Sequence, residues 1–159
     1  MSQTMYAHLE RTLPRSEMVY PSASLDRIKY SFWRVYTPLH PLVRNTALAL
    51  RVVSHSGRQR FPIGKIVPGY TIKDIIDFLI SQGYGNHFIA WKDDGEVVSL
   101  RRVAGFSHQY HIRIFEDGEI RGHYEYTPEC YPILHYKAVD QIDCREEFQK
   151  LLGDKIVRA

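Results

Sequence analysis

The sequence contains little cysteine, and its two cysteines lack the spacing of a metal ribbon. Cys130 and Cys144 are the only cysteines among 159 residues, and no Cys-x-x-Cys pair occurs. This count excludes a disulfide-stabilised scaffold and a four-cysteine zinc site. We expect both thiols to be buried or incidental, which is the usual behaviour of free cysteine.

Long apolar runs are also absent. Residues 1–20 hold no apolar core of signal-peptide length, and no later run approaches the roughly 20 apolar residues of a membrane-spanning helix. With 44% hydrophobic and 25% charged residues, the composition is typical of a globular protein. We therefore expect a cytoplasmic protein that needs no cofactor and has no membrane partner.

Acidic residues are missing from Arg27 to Lys73, a window with nine Lys and Arg residues. The rest of the chain carries 12 Lys and Arg against 18 Asp and Glu, a local net charge of −6 within a chain of +3. Such a segment predicts an anionic partner, most commonly nucleic acid, unless acidic residues elsewhere in the fold neutralise it. Arg51, Arg58 and Arg60 are its candidate phosphate-binding residues.

The N-terminal part predicts an arm followed by a domain. Residues 1–22 are expected to be a loosely ordered arm, and residues 23–159 a single α+β domain. A helix from Ser24 to Tyr36 would stop before Thr37-Pro38. Its apolar stripe, which we expect in the core, consists of Leu25, Ile28, Phe32, Val35 and Tyr36. The apolar segment from Thr46 to Ser54 is interpreted as a strand.

Two further helices are indicated by their caps. Thr71 is a good N-cap, Asp74 follows at the third position, and Gly83 offers a stop, so a helix is predicted from Thr71 to Gln82. A last helix is predicted from about Asp143 to Leu152, where Gly153 ends it.

Two β-hairpins are predicted between these helices. One turns at Asp94-Gly95 and the other at Asp117-Gly118, each between alternating apolar and polar residues. The predicted fold is α+β: a four-stranded antiparallel β-meander of two Asp-Gly hairpins, flanked by helices, with an N-terminal helix and strand extension.

The register of the second hairpin decides which residues share a face. A two-residue turn would mix apolar and polar side chains on both faces. A three-residue loop, Glu116 to Gly118 with glycine in a left-handed bulge, separates them and sets His111 opposite His123. The polar face of this register holds Gln109, His111, Arg113, Arg121, His123 and Glu125.

This polar face suits acid–base chemistry on a phosphate. His111 and His123 can act as base and acid, Glu125 can orient an imidazole, and Arg113 and Arg121 can hold the phosphate. The layout resembles that of barnase-type and toxin-type ribonucleases, which carry such residues on an antiparallel sheet. The likeness concerns architecture over roughly residues 70–127, without a shared motif.

The function predicted from the sequence is binding of nucleic acid, with RNA favoured, and cleavage of it without a metal if the chain is an enzyme. The alternative is a non-enzymatic domain that binds an acidic protein partner. A metal site of His111, His123 and Glu125 is a further alternative, although the two adjacent arginines would repel a dication and favour an anion instead. Polar side chains that only decorate the sheet are the remaining alternative.

Overall fold

The structure is a computed structural model that describes residues 12–16, 24–52, 61–87, 89–131 and 142–159. These residues form α-helices and a β-sheet, which makes the class α+β as predicted. The helices in the described ranges are α1 (Ser24–Tyr36), α2 (His40–Ala49), α3 (Ile72–Ser81) and α4 (Arg145–Leu152). None of these helices has the length and apolar content needed to cross a bilayer.

One antiparallel sheet of six strands forms the centre of the described structure, in the order β2-β3-β4-β5-β1-β6. The strands are β1 (Pro62–Ile66), β2 (Gly85–Asn86), β3 (Glu96–Ala104), β4 (His108–Phe115), β5 (Glu119–Tyr126) and β6 (Ile156–Arg158). Strands β3, β4 and β5 of the predicted meander are present, whereas β2 lies before its predicted first strand, and β1 and β6, which lie far apart in sequence, are added at the other edge.

The second hairpin has the predicted register. Ile114 pairs with Ile120 and His111 with His123. Gly118 adopts a left-handed φ of 80° and donates its backbone N–H to the carbonyl of Phe115 at 2.9 Å. The bulged loop thus places the apolar and polar residues of β4 and β5 on opposite faces of the sheet.

The first hairpin differs from the prediction. Gly95 turns with a φ of 73°, but β3 pairs with the short strand Gly85–Asn86 instead of with the residues just before the turn. The preceding loop is held by side chains: Arg113 donates to the carbonyl of Trp91 at 2.9 Å, and the N–H of Asp93 donates to Glu96 at 3.0 Å. Because side chains satisfy these backbone groups, the segment does not need a strand partner.

The strand predicted from Thr46 to Ser54 is wrong over its described part. Residues 46–49 belong to α2, which has proline in its first turn, and residues 53 and 54 lie outside the described ranges. Proline is tolerated in a first turn, and alanine and leucine, which fill the end of α2, are good helix formers. An apolar run this short does not distinguish a helix from a strand.

The apolar stripe of α1 lies outside the core, contrary to expectation. Leu25, Ile28, Phe32 and Val35 are 60–68% exposed. The other side of the helix faces the domain, where Lys29 Nζ donates to the carbonyl of Cys130 at 3.0 Å. The side of the helix that carries Lys29 therefore makes contact with the rest of the chain, and of the stripe residues Tyr36 alone is half-buried, packed edge-on against His40 with ring centroids 5.8 Å apart.

The core lies between the apolar face of the sheet and helices α3 and α4. Residues Ile112, Ile114 and Ile120 of the sheet are fully buried in one cluster with residues of both helices. The helix residues of this cluster are Ile75, Ile76, Leu79, Phe148 and Leu152. The predicted cap of α3 is present as a reciprocal pair, in which the Thr71 side chain accepts from the N–H of Asp74 and the Asp74 side chain accepts from the N–H of Thr71.

Both cysteines are free thiols and are buried, as predicted. Burial raises the pKa of Cys144 to about 12, and nearby carboxylates act in the same direction. Burial also raises the pKa of Cys130 above its usual value. Both thiols are therefore protonated at neutral pH, which makes them poor nucleophiles.

The described part of the N-terminal arm is tied to the edge of the sheet. The N–H of Asn86 donates to the carbonyl of Pro14 at 2.8 Å, and Arg101 Nε donates to Ser16 Oγ at 2.7 Å. Most of residues 1–22 lie outside the described ranges, so the predicted boundary between arm and domain stays a prediction.

Gly122 allows helix α4 to pack against the sheet. A Cβ at this position would meet Phe148 Cε2 at 2.7 Å, and the carbonyl of His111 and Ile63 Cδ1 at 2.9 Å. We expect Gly122→Ala to lower the free energy of unfolding by about 1–3 kcal/mol, because these atoms must shift apart. Urea unfolding followed by circular dichroism measures this, with Ser31→Ala on the exposed side of α1 as the control. Equal stability of the two variants would contradict this packing.

Candidate functional site

The polar face of β4 and β5 is buried and not open to solvent. His111, His123 and Glu125 are each 2% exposed, and Gln109 is fully buried. The segment before β3 covers part of this face. His87 packs edge-on against His111 with ring centroids 4.7 Å apart, and the backbone carbonyl of Trp91 accepts a hydrogen bond from Arg113. The histidines thus form the interior of a polar cluster, where water has little access.

Three side chains converge at the centre of this cluster. His111 Nδ1 lies 3.1 Å from Glu125 Oε1, and His123 Nε2 lies 3.0 Å from Glu125 Oε2. The two imidazole nitrogens are 3.3 Å apart. We call these three residues the His–His–Glu cluster; within the described residues it is the group whose geometry suits a metal ion.

Other buried side chains orient the His–His–Glu cluster. The second ring nitrogen of His111, Nε2, lies 2.5 Å from Ser99 Oγ and 3.4 Å from His87 Nδ1. Gln109 Nε2 donates to Glu125 Oε1 at 2.8 Å. These contacts restrict the rotation of His111 and Glu125, so the three converging groups are positioned in advance.

The arginines around the cluster are bound by carboxylates. Arg101 forms a two-pronged pair with Glu129 at 2.7 and 3.0 Å, and Arg101 also donates to Gln109 at 3.1 Å. Arg113 lies 2.7 Å from Glu96, with Asp93 at 3.5 Å. A guanidinium that is bound in this way exerts a weaker field on its neighbours than a bare one.

Burial changes the protonation of the cluster. It lowers the pKa of His111 to about 3, and the charge of Arg113 acts in the same direction, whereas Glu125 opposes the shift. His111 is therefore neutral at physiological pH. Burial also raises the pKa of Glu96, although Arg113 opposes this. A neutral imidazole can accept a proton or bind a metal, but cannot act as a general acid.

The structure brings together three of the residues predicted from the sequence. His111, His123 and Glu125 meet as described above. Arg113 and Arg121 lie on the same face, but Arg121 pairs with Glu119 at 2.7 Å and Arg113 with Glu96. Arg51 is exposed just after α2. Arg58 and Arg60 lie outside the described residues, so a common phosphate site of these arginines stays a prediction.

Several residues that contact the His–His–Glu cluster or lie beside it were not predicted from the sequence. Ser99 and Arg101 come from β3, and His87 from the loop after β2. The alternation of Val98 and Leu100 with these two polar residues was a detectable signal. This alternation could not place Ser99 and Arg101 near the histidines without the register between β3 and β4, which pairs Ser99 with Arg113 and Arg101 with His111.

Comparisons with known proteins return no match: no family model, no curated protein and no solved structure is similar to this chain. The function must therefore be argued from the geometry of the chain itself.

Breaking the ion pair of Arg101 with Glu129 is expected to lower the free energy of unfolding by more than the net attraction between the two side chains contributes to it. The two side chains are only 6% and 3% exposed. Arg101→Met should cost about 3–5 kcal/mol of the free energy of unfolding, since it leaves Glu129 buried without its cation. Adding Glu129→Leu should recover much of this loss.

Urea unfolding of the single and double variants measures this coupling. The matched control is Arg145→Met, which removes the arginine of an ion pair whose side chains are 46% and 37% exposed, and should change stability little. A double variant no more stable than Arg101→Met alone would contradict the role given to the pair.

Proposed function

We propose that the chain binds a divalent transition-metal ion of the zinc class through the His–His–Glu cluster. The observation that carries the proposal is the spacing of the converging atoms: Glu125 Oε2 lies 3.0 Å from His123 Nε2, Glu125 Oε1 lies 3.1 Å from His111 Nδ1, and the two nitrogens are 3.3 Å apart. Ligands held at 2.0–2.1 Å from a tetrahedral zinc ion are about 3.3 Å from one another. The atoms thus stand where three protein ligands of one ion would stand.

The chemistry of these residues supports the same ion. Metal binding needs neutral imidazoles and an ionised carboxylate, and burial keeps His111 neutral. The ring nitrogen of a ligand that faces away from the metal normally has a fixed partner, and Ser99 Oγ occupies this position for His111. Gln109 in turn holds Glu125. These are the outer contacts that a metal centre requires.

The arginines argue less strongly against a dication than the sequence suggested. In the sequence, Arg113 and Arg121 are two positive charges beside the histidines. In the structure each is paired with a carboxylate, at 2.7 Å in both cases. Because these pairs reduce the local positive field, they weaken the objection to a bound cation, although the charge of Arg113 still acts on His111.

Three protein ligands leave room for a further ligand on the ion. A zinc ion with such an open position polarises a bound carbonyl or phosphoryl oxygen and lowers the pKa of bound water. The chain itself supplies the ligands, their orientation and a site with little access to bulk water.

Titration of the EDTA-treated and dialysed full chain with Zn²⁺ or Co²⁺ tests the proposal. We expect one ion per chain by calorimetry, and for Co²⁺ the visible absorption of a tetrahedral site. His111→Ala, His123→Ala and Glu125→Gln should each weaken binding more than a hundredfold, since each removes a ligand. Gln109→Leu should weaken it by roughly 10–100-fold, because it loosens the orientation of Glu125.

His108→Ala is the matched control. His108 lies on the same strand as His111 but stacks on the ring of Tyr124, at 5.2 Å, on the opposite face. It should bind the ion as the parent chain does. Circular dichroism shows whether each variant is folded. Folded His111→Ala and Glu125→Gln variants that still bind one ion with the parent affinity would disprove the metal centre.

Metal-independent cleavage of RNA, predicted from the sequence, stays a prediction. An experiment can distinguish it from metal binding by the His–His–Glu cluster. It requires imidazoles that exchange protons, and phosphate access to a face that is 2% exposed at both histidines. We expect no cleavage of end-labelled single-stranded RNA in EDTA. Cleavage that persists in EDTA and disappears in a His111→Ala/His123→Ala variant would favour the acid–base enzyme.

A further inference from the structure

Helices α1 and α2 together expose an unusual amount of apolar surface. Besides the four stripe residues of α1, large apolar side chains are exposed along α2 and its flanks. These are Leu39 at 52%, Leu42 at 69%, Val43 at 46%, Leu50 at 69% and Val52 at 75%. Isolated exposed apolar residues are ordinary, but nine large exposed apolar side chains within residues 24–52 indicate an interaction surface. We call the exposed side of residues 24–52 the outer face.

The two helices are turned with their polar side toward the domain. Lys29 donates to the carbonyl of Cys130, and Arg44 Nη1 donates to the carbonyl of Ala90 at 3.1 Å. Aromatic contacts add to this attachment: Tyr30 meets Phe106 with ring centroids 6.4 Å apart, and His40 meets Trp91 at 5.8 Å. The apolar side is thus directed outward by specific contacts on the inner side.

The charges on the outer face have one sign. Its exposed ionisable side chains are Arg27, Arg34 and Arg51. The single acidic residue of this stretch, Asp26, is half-buried. Arg27 and Arg34 are seven residues apart in one helix, so they project in the same direction, about 80–100° around the helix axis from Val35, the nearest residue of the apolar stripe. Exposed apolar side chains with cations on the neighbouring side of the same helix are typical of helices that lie on anionic membranes.

We propose that the outer face binds the surface of an anionic lipid bilayer, with α1 and α2 lying in the plane of the interface. The aliphatic side chains enter the boundary of the acyl chains, while the arginines contact anionic headgroups. Helices of 13 and 10 residues are too short to span a bilayer, and binding at its surface needs no spanning segment. This proposal replaces the expectation, drawn from the lack of long apolar runs, of no membrane partner, and it is independent of the metal centre.

Other occupants fit the outer face less well. A second copy of the same face would oppose arginines to arginines, which is unfavourable. RNA would satisfy the arginines, but it offers little to exposed leucine, isoleucine and valine, because bases stack mainly on aromatic side chains. A bilayer of anionic lipid satisfies both the apolar and the positively charged part of the face.

Flotation of the full chain with lipid vesicles tests the proposal. We expect binding to vesicles of equimolar phosphatidylcholine and phosphatidylglycerol, weakening as salt rises, and little binding to pure phosphatidylcholine. Arg34→Gln/Arg51→Gln should reduce the partition coefficient about 25-fold, at about fivefold for each arginine. Ile28→Ser/Phe32→Ser should reduce it more than a hundredfold, because two large apolar side chains no longer enter the bilayer.

The controls change similar residues outside the outer face. Val157→Ser alters an apolar residue of β6 that is 61% exposed, and Lys65→Gln removes an exposed cation of β1. Both should bind vesicles as the parent does. The affinity for Zn²⁺ of every variant should also equal that of the parent, so a failure here is distinguishable from a failure of the metal centre.

Three results would overturn the proposal. One is the absence of flotation at low salt, and another is equal loss of flotation in the controls and the outer-face variants. The third is a different occupant: a dimer in sedimentation velocity that Ile28→Ser/Phe32→Ser dissociates, or an RNA complex that Arg34→Gln/Arg51→Gln abolishes, in either case without binding to vesicles.

Discussion

The pairing of β4 with β5 in the bulged register is the constraint on which the remaining arrangement depends. A shift by one residue would turn every side chain of one strand to the other face of the sheet. Ile112 and Ile114 would then leave the core, and His111 would no longer stand opposite His123. One turn, closed by Gly118 in a left-handed conformation, therefore decides both the core and the candidate site.

The two faces of the sheet are buried by different means. One face is covered by α3 and α4 in an apolar core, where the favourable term is removal of apolar surface from water. The other face buries charged and polar groups, which costs free energy unless each finds a partner. The pairs of Arg101 with Glu129 and of Arg113 with Glu96 offset this cost and fix one arrangement of the polar side chains on this face.

A buried polar layer of this kind is an expensive arrangement for stability alone. Apolar residues of similar size would often be as stable or more so in place of buried ion pairs. The metal centre proposed for His111, His123 and Glu125 at the centre of the layer would account for it, because ligands for an ion must be held in a preformed geometry. Whereas this layer buries polar residues, the outer face of α1 and α2 exposes apolar residues to solvent.

The sequence by itself determined the elements whose signals are local. The Asp-Gly turns, the cap of α3 at Thr71 and the alternation along β4 and β5 act between residues that are close in the chain. They were enough to predict the pairing of His111 with His123 and the presence of Glu125 beside them. Only the tertiary structure decided that β1 and β6 join the sheet, that Ser99 and His87 support His111, and that the histidine face is buried. Those outcomes depend on contacts between residues distant in sequence, which no local pattern encodes; for the same reason, the periodicity of α1 revealed an apolar stripe but not the direction in which it points.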